Sequence, residues 1–204
     1  MTVSQGKLKS IVLIGGSAGG IAVLHQICAN LPGSLPYPLV IVQHLPKNPT
    51  VQLADLVRNW TPLPVFEVEA GCPIENGTIY LAPPDYHLLI ENDEVFALNV
   101  DDPVHWSRPS IDVLFESAAY VYRHRVIAIV LTGANEDGAT GSRKVSELGG
   151  TVIVQNPTTA EAKTMPRAAL NLVPNALCMK TAEIAKFLTR LASQQCEIHL
   201  GRSE

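Results

Sequence analysis

The fold open to this chain is constrained most by its alternation of short apolar runs with amphipathic stretches. Ile11–Ile14, Leu39–Val42, Val126–Leu131 and Thr151–Val154 are rich in branched aliphatic residues and have the length of strands. Runs apolar on both faces suit strands buried on both sides of a parallel sheet. Between them, helical periodicity fits Ile21–Asn30, Val51–Asn59, Ser110–Tyr122 and Gly138–Leu148. The last of these stops at Gly149-Gly150, a left-handed end signal ahead of the next strand. The pattern predicts a doubly wound α/β fold, with a mainly parallel sheet and helices on both faces.

The texture changes in the middle of the chain. Gly77–Ala82, His87–Ile90 and Val95–Leu98 are short and β-like, and Glu91-Asn92-Asp93-Glu94 reads as a turn, which predicts a small antiparallel hairpin beside the parallel sheet. Pro103–Pro109 reads as a surface loop before a helix capped by Ser110, and Thr181–Ser193 as a final helix. At 204 residues the chain fits a single domain over 1–204.

A net charge of −4 without any lysine or arginine cluster argues against nucleic acid or an anionic membrane as partner. The amino terminus lacks the apolar core of a secretory signal, and the apolar runs are too short to span a bilayer, so a soluble cytoplasmic protein is expected. Cys28, Cys72, Cys178 and Cys196 form no Cys-x-x-Cys pair. No metal, cofactor or disulfide framework is expected, and most of these cysteines read as buried free thiols.

The first apolar run leads into Gly15-Gly16-Ser17-Ala18-Gly19-Gly20. A strand ending in Gly-x-Ser-x-Gly and turning into a helix is the pattern of a nucleophile elbow, which lifts a serine hydroxyl clear of the sheet. Unpaired N–H groups at the start of the following helix favour a developing oxyanion. A serine nucleophile also needs a base and a group that orients it. In doubly wound folds the loops after separate strands converge at the sheet's carboxyl edge. The second strand runs straight into His44, the best candidate base, and the third into a small-residue loop containing Asp137, which can orient it. Asp137 is equally suited to cap the following helix, and Glu136 is a rival acid. The amides of Ala134 and Ala18 are the candidate oxyanion donors. The other histidines, His25, His87, His105, His124 and His199, carry no assigned chemistry.

Two other readings of the turn are a phosphate-binding nucleotide module and a scaffold that has lost catalysis. The dinucleotide fingerprint would span Gly15 to Gly20, but Ser17 stands at its middle glycine, the ribose-binding acid is replaced by Gln43-His44, and no Walker lysine is present.

Several segments, in order, resemble the catalytic domain of chemotaxis protein-glutamate methylesterases of the CheB type. They are Ile14–Gly20, Gln43–Pro46, Leu81–His87, Arg108–Phe115, Leu131–Gly138, Gln155-Asn156-Pro157 and Met165-Pro166-Arg167. The resemblance implies a triad of Ser17, His44 and Asp137, with an oxyanion hole from the Ala134 and Ala18 amides. It implies hydrolysis of glutamate γ-methyl esters on cytoplasmic helices of bacterial chemoreceptors, and in related members deamidation of glutamine. Arg108 and Arg167 are expected at the cleft, positioning acidic receptor surface. Ala18, Ala134 and Glu161–Thr164 depart from common family residues, so pocket shape is expected to differ while main-chain roles persist. Many members carry an N-terminal receiver domain, whereas this sequence starts almost at the first catalytic strand, so control by a separate regulatory protein is expected. A serine esterase of the same fold acting on another ester remains the alternative.

Overall fold

The computed structural model describes residues 10–46 and 52–200, with side chains to 193. Its main sheet has seven strands, all parallel: β1 (Ile11–Gly16), β2 (Leu39–Gln43), β3 (Val65–Glu67), β4 (Ile79–Leu81), β7 (Val126–Val130), β8 (Thr151–Gln155) and β9 (Leu177–Met179). Their spatial order is β3-β4-β2-β1-β7-β8-β9. β5 (His87–Ile90) and β6 (Phe96–Asn99) form a separate antiparallel hairpin, with His87 opposite Asn99 and Ile90 opposite Phe96. The doubly wound architecture and the hairpin agree with the sequence expectation.

Helices cover both faces because alternate residues of each buried strand point to opposite sides. Ile11, Leu13, Val40 and Val42 pack with α3 (Ile111–Tyr122), α4 (Ala139–Glu147), α5 (Thr164–Leu172) and the hairpin. Val12, Ile14, Leu39 and Ile41 pack with α1 (Gly20–Cys28), α2 (Leu53–Arg58) and α6 (Thr181–Leu200). Central strands buried on both faces explain the unbroken aliphatic runs. Among the described residues no helix is long and apolar enough to cross a membrane.

Several details differ from the sequence reading. The 79–81 segment joins the main sheet, parallel to β2, and is not part of the hairpin. The edge strands β3 and β9 were not expected, since each has only three residues and leaves most of them at least partly exposed. α5 was missed because Pro166 reads as a helix breaker. It stands in the first turn, where no intrahelical N–H bond is lost. The second helix begins at Leu53, and Val51 lies outside the described residues. The thiols also differ: Cys28 is buried and burial pushes it up to about 12, but Cys72 is half-buried and Cys178 exposed. The Cys196 side chain lies outside the described residues.

α3 and α4 pack closely because Gly141 has no side chain. A Cβ there would stand 2.6 Å from Phe115 Cβ and 3.0 Å from the Asp112 main chain. Gly141→Ala is therefore expected to cost about 1–3 kcal/mol through overpacking. Urea denaturation checks this, and an unchanged midpoint would mean that the two helices separate freely.

Candidate active site

The strand order reverses at β1, which lies between β2 and β7. Connections diverge there and leave a crevice at the carboxyl ends of the strands. Ser17 follows β1, His44 follows β2, and the Thr132–Asp137 loop follows β7.

Main-chain bonds fix the serine turn. Ser17 N–H donates to the Thr132 carbonyl at 2.9 Å, and the Ser17 carbonyl accepts from Gly20 N–H at 2.8 Å. The Gln43 side-chain amide donates to that same carbonyl at 2.8 Å. Gly19 takes φ 76°, a left-handed conformation that a side chain would strain, and α1 begins at the next residue. The Thr132 hydroxyl is 2.9 Å from the Ala18 carbonyl and 3.1 Å from that of Ala162, tying the turn to the 160–165 segment.

The His44 N–H donates to the Gly16 carbonyl at 3.0 Å, which sets the imidazole beside the serine turn. Its Nε2 is 2.9 Å from Asp137 Oδ2. Asp137 has no exposed surface, and α3 surrounds its carboxylate with donors. Oδ2 also accepts from Ile111 N–H at 2.7 Å, while Oδ1 accepts from the Ser110 hydroxyl at 2.8 Å and Asp112 N–H at 3.0 Å. Burial alone would raise this carboxyl. The bonds from His44 and from the Asp112 and Ile111 amides outweigh burial and hold it below the ordinary carboxylate range. An anion at the free amides of a helix start is further favoured by the helix dipole. Ser110 caps α3 as the sequence predicts, its hydroxyl oxygen accepting from Val113 N–H at 3.4 Å, and Asp137 takes up the next free amides of that same helix, while α4 starts after Gly138 with no capping side chain. Glu136 is exposed.

An ionised Asp137 can only accept, so His44 Nε2 carries the proton and Nδ1 holds the free lone pair. Ser107 occupies that lone pair in this structure, with its Oγ 3.2 Å from Nδ1. Asn135 Nδ2 donates to Ser107 Oγ at 3.2 Å and to the His105 carbonyl at 3.1 Å. The Ser17 hydroxyl has no hydrogen-bond partner among the described residues.

Ser17 and His44 line one hollow of about 650 Å³ together with Ala18, Trp106, Arg108 and Ala134. They line an adjoining one with Ile21, His25, Trp60 and Glu161. Ala18 and Ala134 are exposed, and among the described residues neither amide has an acceptor. Both residues line the hollow that contains Ser17. Among the described residues no group of three or more His, Cys, Asp or Glu side chains is arranged to hold a metal ion.

The two arginines are placed differently from each other. Arg108 is in the wall, but its donors are committed: Nε and Nη2 to Asp85 Oδ1 at 3.0 and 2.7 Å, and Nη1 to the Val100 and Asp101 carbonyls at 2.7 and 3.0 Å. It braces the loop. Arg167 is exposed on α5 and lines neither hollow.

Sequence reasoning missed Ser107, Gln43 and Thr132, whose roles depend on contacts between loops from separate strands. It also missed Asp112, buried beside Asp137 and held by Gly141 N–H at 2.6 Å. Burial, reinforced by the neighbouring Asp137 charge, pushes Asp112 up to about 6. The Gly141 amide and His105, whose Nε2 lies 3.5 Å from Asp112 Oδ2, act the other way.

The chain is similar to known proteins over most of its length. Residues 12–188 match the family profile described as CheB methylesterase. A putative protein-glutamate methylesterase/protein-glutamine glutaminase of Leptospira interrogans is 40% identical over 186 residues, covering 91% of this chain and 96% of the relative. The protein-glutamate methylesterase/protein-glutamine glutaminase of Symbiobacterium thermophilum is 36% identical over 91% of this chain and 51% of its own length. The crystal structure of the Thermotoga maritima CheB methylesterase catalytic domain superposes with a TM-score of 0.85 at 36% identity, covering 89% of this chain and 98% of that one.

Asp112 generates a pH-dependent prediction. Its folded pKa is raised, so its contribution to stability is full below the unfolded value of about 3.9 and is lost as pH rises through about 6. Asp112→Asn, which keeps an acceptor for Gly141 without the charge, should therefore be more stable than the parent at pH 8, by up to about 3 kcal/mol. The advantage should vanish near pH 4. Urea melts at both pH values check this, and a pH-independent difference would contradict it.

Proposed function

This chain belongs to the CheB methylesterase family, and from that premise we propose that it hydrolyses glutamate γ-methyl esters on the cytoplasmic helices of bacterial chemoreceptors. The reaction runs in the cytoplasm, where those helices lie. Ser17 is the nucleophile, His44 the base and Asp137 the group that orients and neutralises it. The observation that carries the reading is the His44–Asp137 contact of 2.9 Å, made by a fully buried, charge-stabilised carboxylate beside the Ser17 turn.

The steps follow from the protonation states. Ser107 first releases His44 Nδ1 by turning its hydroxyl toward the His105 carbonyl, 3.3 Å away. Ser17 Oγ gives its proton to Nδ1 and attacks the ester carbonyl carbon. The carbonyl oxygen becomes an oxyanion held by the Ala18 and Ala134 amides. The Asp137 carboxylate stabilises the imidazolium through Nε2–H. Nδ1–H then protonates the departing methoxide, releasing methanol and leaving an acyl-serine. Water, deprotonated by His44, cleaves that acyl group and restores glutamate and Ser17. A glutamine side chain in the same position would lose ammonia and give the same product.

Ser17→Ala should abolish methanol release from a methylated receptor fragment to within about 10³–10⁴-fold of the uncatalysed rate. Gas chromatography of methanol measures it, and a variant as fast as the parent would overturn the assignment. Asp137→Asn is expected to lower turnover by about 10⁴-fold, because the carboxylate that fixes the tautomer is gone. It should also lower stability by about 1–3 kcal/mol, because α3 loses its anion. A stable, fully active variant would remove Asp137 from the mechanism.

A further inference from the structure

The loop before α3 holds a tryptophan in water. Val104 and Ser107 pair across a two-residue turn, N–H to carbonyl at 3.2 and 2.9 Å. His105 and Trp106, at its corner, take φ 48° and 63°, a left-handed pair that normally falls to Asn and Gly. Holding two side-chain-bearing residues there is unfavourable and requires bracing from outside the turn. Braces come from three directions: Asn135 holds the His105 carbonyl, Ser107 meets His44, and Arg108 is clamped on Asp85. The product of this braced arrangement is a tryptophan that is 98% exposed while forming part of the wall of the hollow that contains Ser17.

A large apolar ring on a pliable loop would fold back onto protein and bury area worth about 25 cal/mol per Å². Here the braces prevent collapse, so the ring stays available for something else to cover. The second hollow shares Ser17, Ala18, His44 and Leu45 with the first, and holds Trp60 against His25 at a ring distance of 4.9 Å and Ile21, 38% exposed on α1. Apolar surface therefore stands in both hollows that meet at the nucleophile. A small ester reaching Ser17 would touch only the centre, whereas a polypeptide would span both.

We infer that Trp106 is a specificity-determining contact for a polypeptide substrate, packing on the helix that carries the ester beside the side chain being cleaved. This inference rests on the proposed protein-ester reading and adds the residue that distinguishes a protein-borne ester from a free one. Exposed rigid aromatics that become buried in a complex are the commonest energetic anchors of interfaces.

The test compares two substrates, a methylated receptor fragment and p-nitrophenyl acetate, in the parent, Trp106→Ala and Trp106→Phe. Trp106→Ala should lower kcat/KM on the receptor fragment at least about ten-fold more than on the small ester, mainly through KM, and Trp106→Phe should recover most of the difference. In a Ser17→Ala/Trp60→Phe background, Trp106 emission should shift to the blue when the methylated fragment saturates the protein. Equal losses on both substrates, or emission that stays at its water-exposed wavelength, would overturn the inference. If the parent itself releases no methanol from the fragment, the protein-ester reading fails and this inference falls with it. If the parent does so and the losses are equal, only the role of Trp106 falls.

Discussion

The site depends on one buried carboxylate. Asp137 accepts bonds from the Ser110 hydroxyl, the Ile111 and Asp112 amides and His44, and so joins the start of α3, the loop after β7 and the end of β2. A buried charge of this kind is costly unless fully partnered, and here its partners are the groups a helix start leaves unsatisfied. The same bonds that stabilise α3 keep Asp137 ionised. An ionised Asp137 in turn decides which nitrogen of His44 bears the proton. Helix capping and the protonation state of the proposed base are thus one interaction seen from two sides.

The consequence for the proposed chemistry is an imidazole that works through Nδ1. That atom is held by Ser107 in the resting structure, at the foot of the same braced loop that presents Trp106. The loop therefore connects the base to the rim of the hollow. The close packing of α3 on α4 at Gly141 connects to it through Asp112, which accepts from the Gly141 amide and lies 3.5 Å from His105 of the loop.

Much of this was legible in the sequence, for a physical reason. β1, β2, β7 and β8 are central and buried on both faces, so their aliphatic runs are unambiguous, and the residues that follow them occupy one sheet edge. Ser17, His44 and Asp137 could be placed together on that ground alone. Edge strands such as β9 carry no such constraint and left no pattern. The alternative reading of Asp137 as a helix cap points to α4, its neighbour in sequence, whereas the amides it accepts from belong to α3, in a tertiary contact that spans 26 residues. Ser107 was illegible because a serine in a proline-bounded loop has no periodicity to betray it. Arg108 was read by its charge, but the bonds that occupy its donors are set by how the loop folds on Asp85.

The central claim is that Ser17 attacks through a base held by Asp137, although Ser107 is the hydroxyl that touches that base in the resting structure. Labelling the protein with a fluorophosphonate and locating the adduct by peptide mass spectrometry tests it directly. The account expects a single adduct on Ser17 that His44→Gln abolishes. An adduct on Ser107, or an active esterase that takes up no label at Ser17, would contradict it.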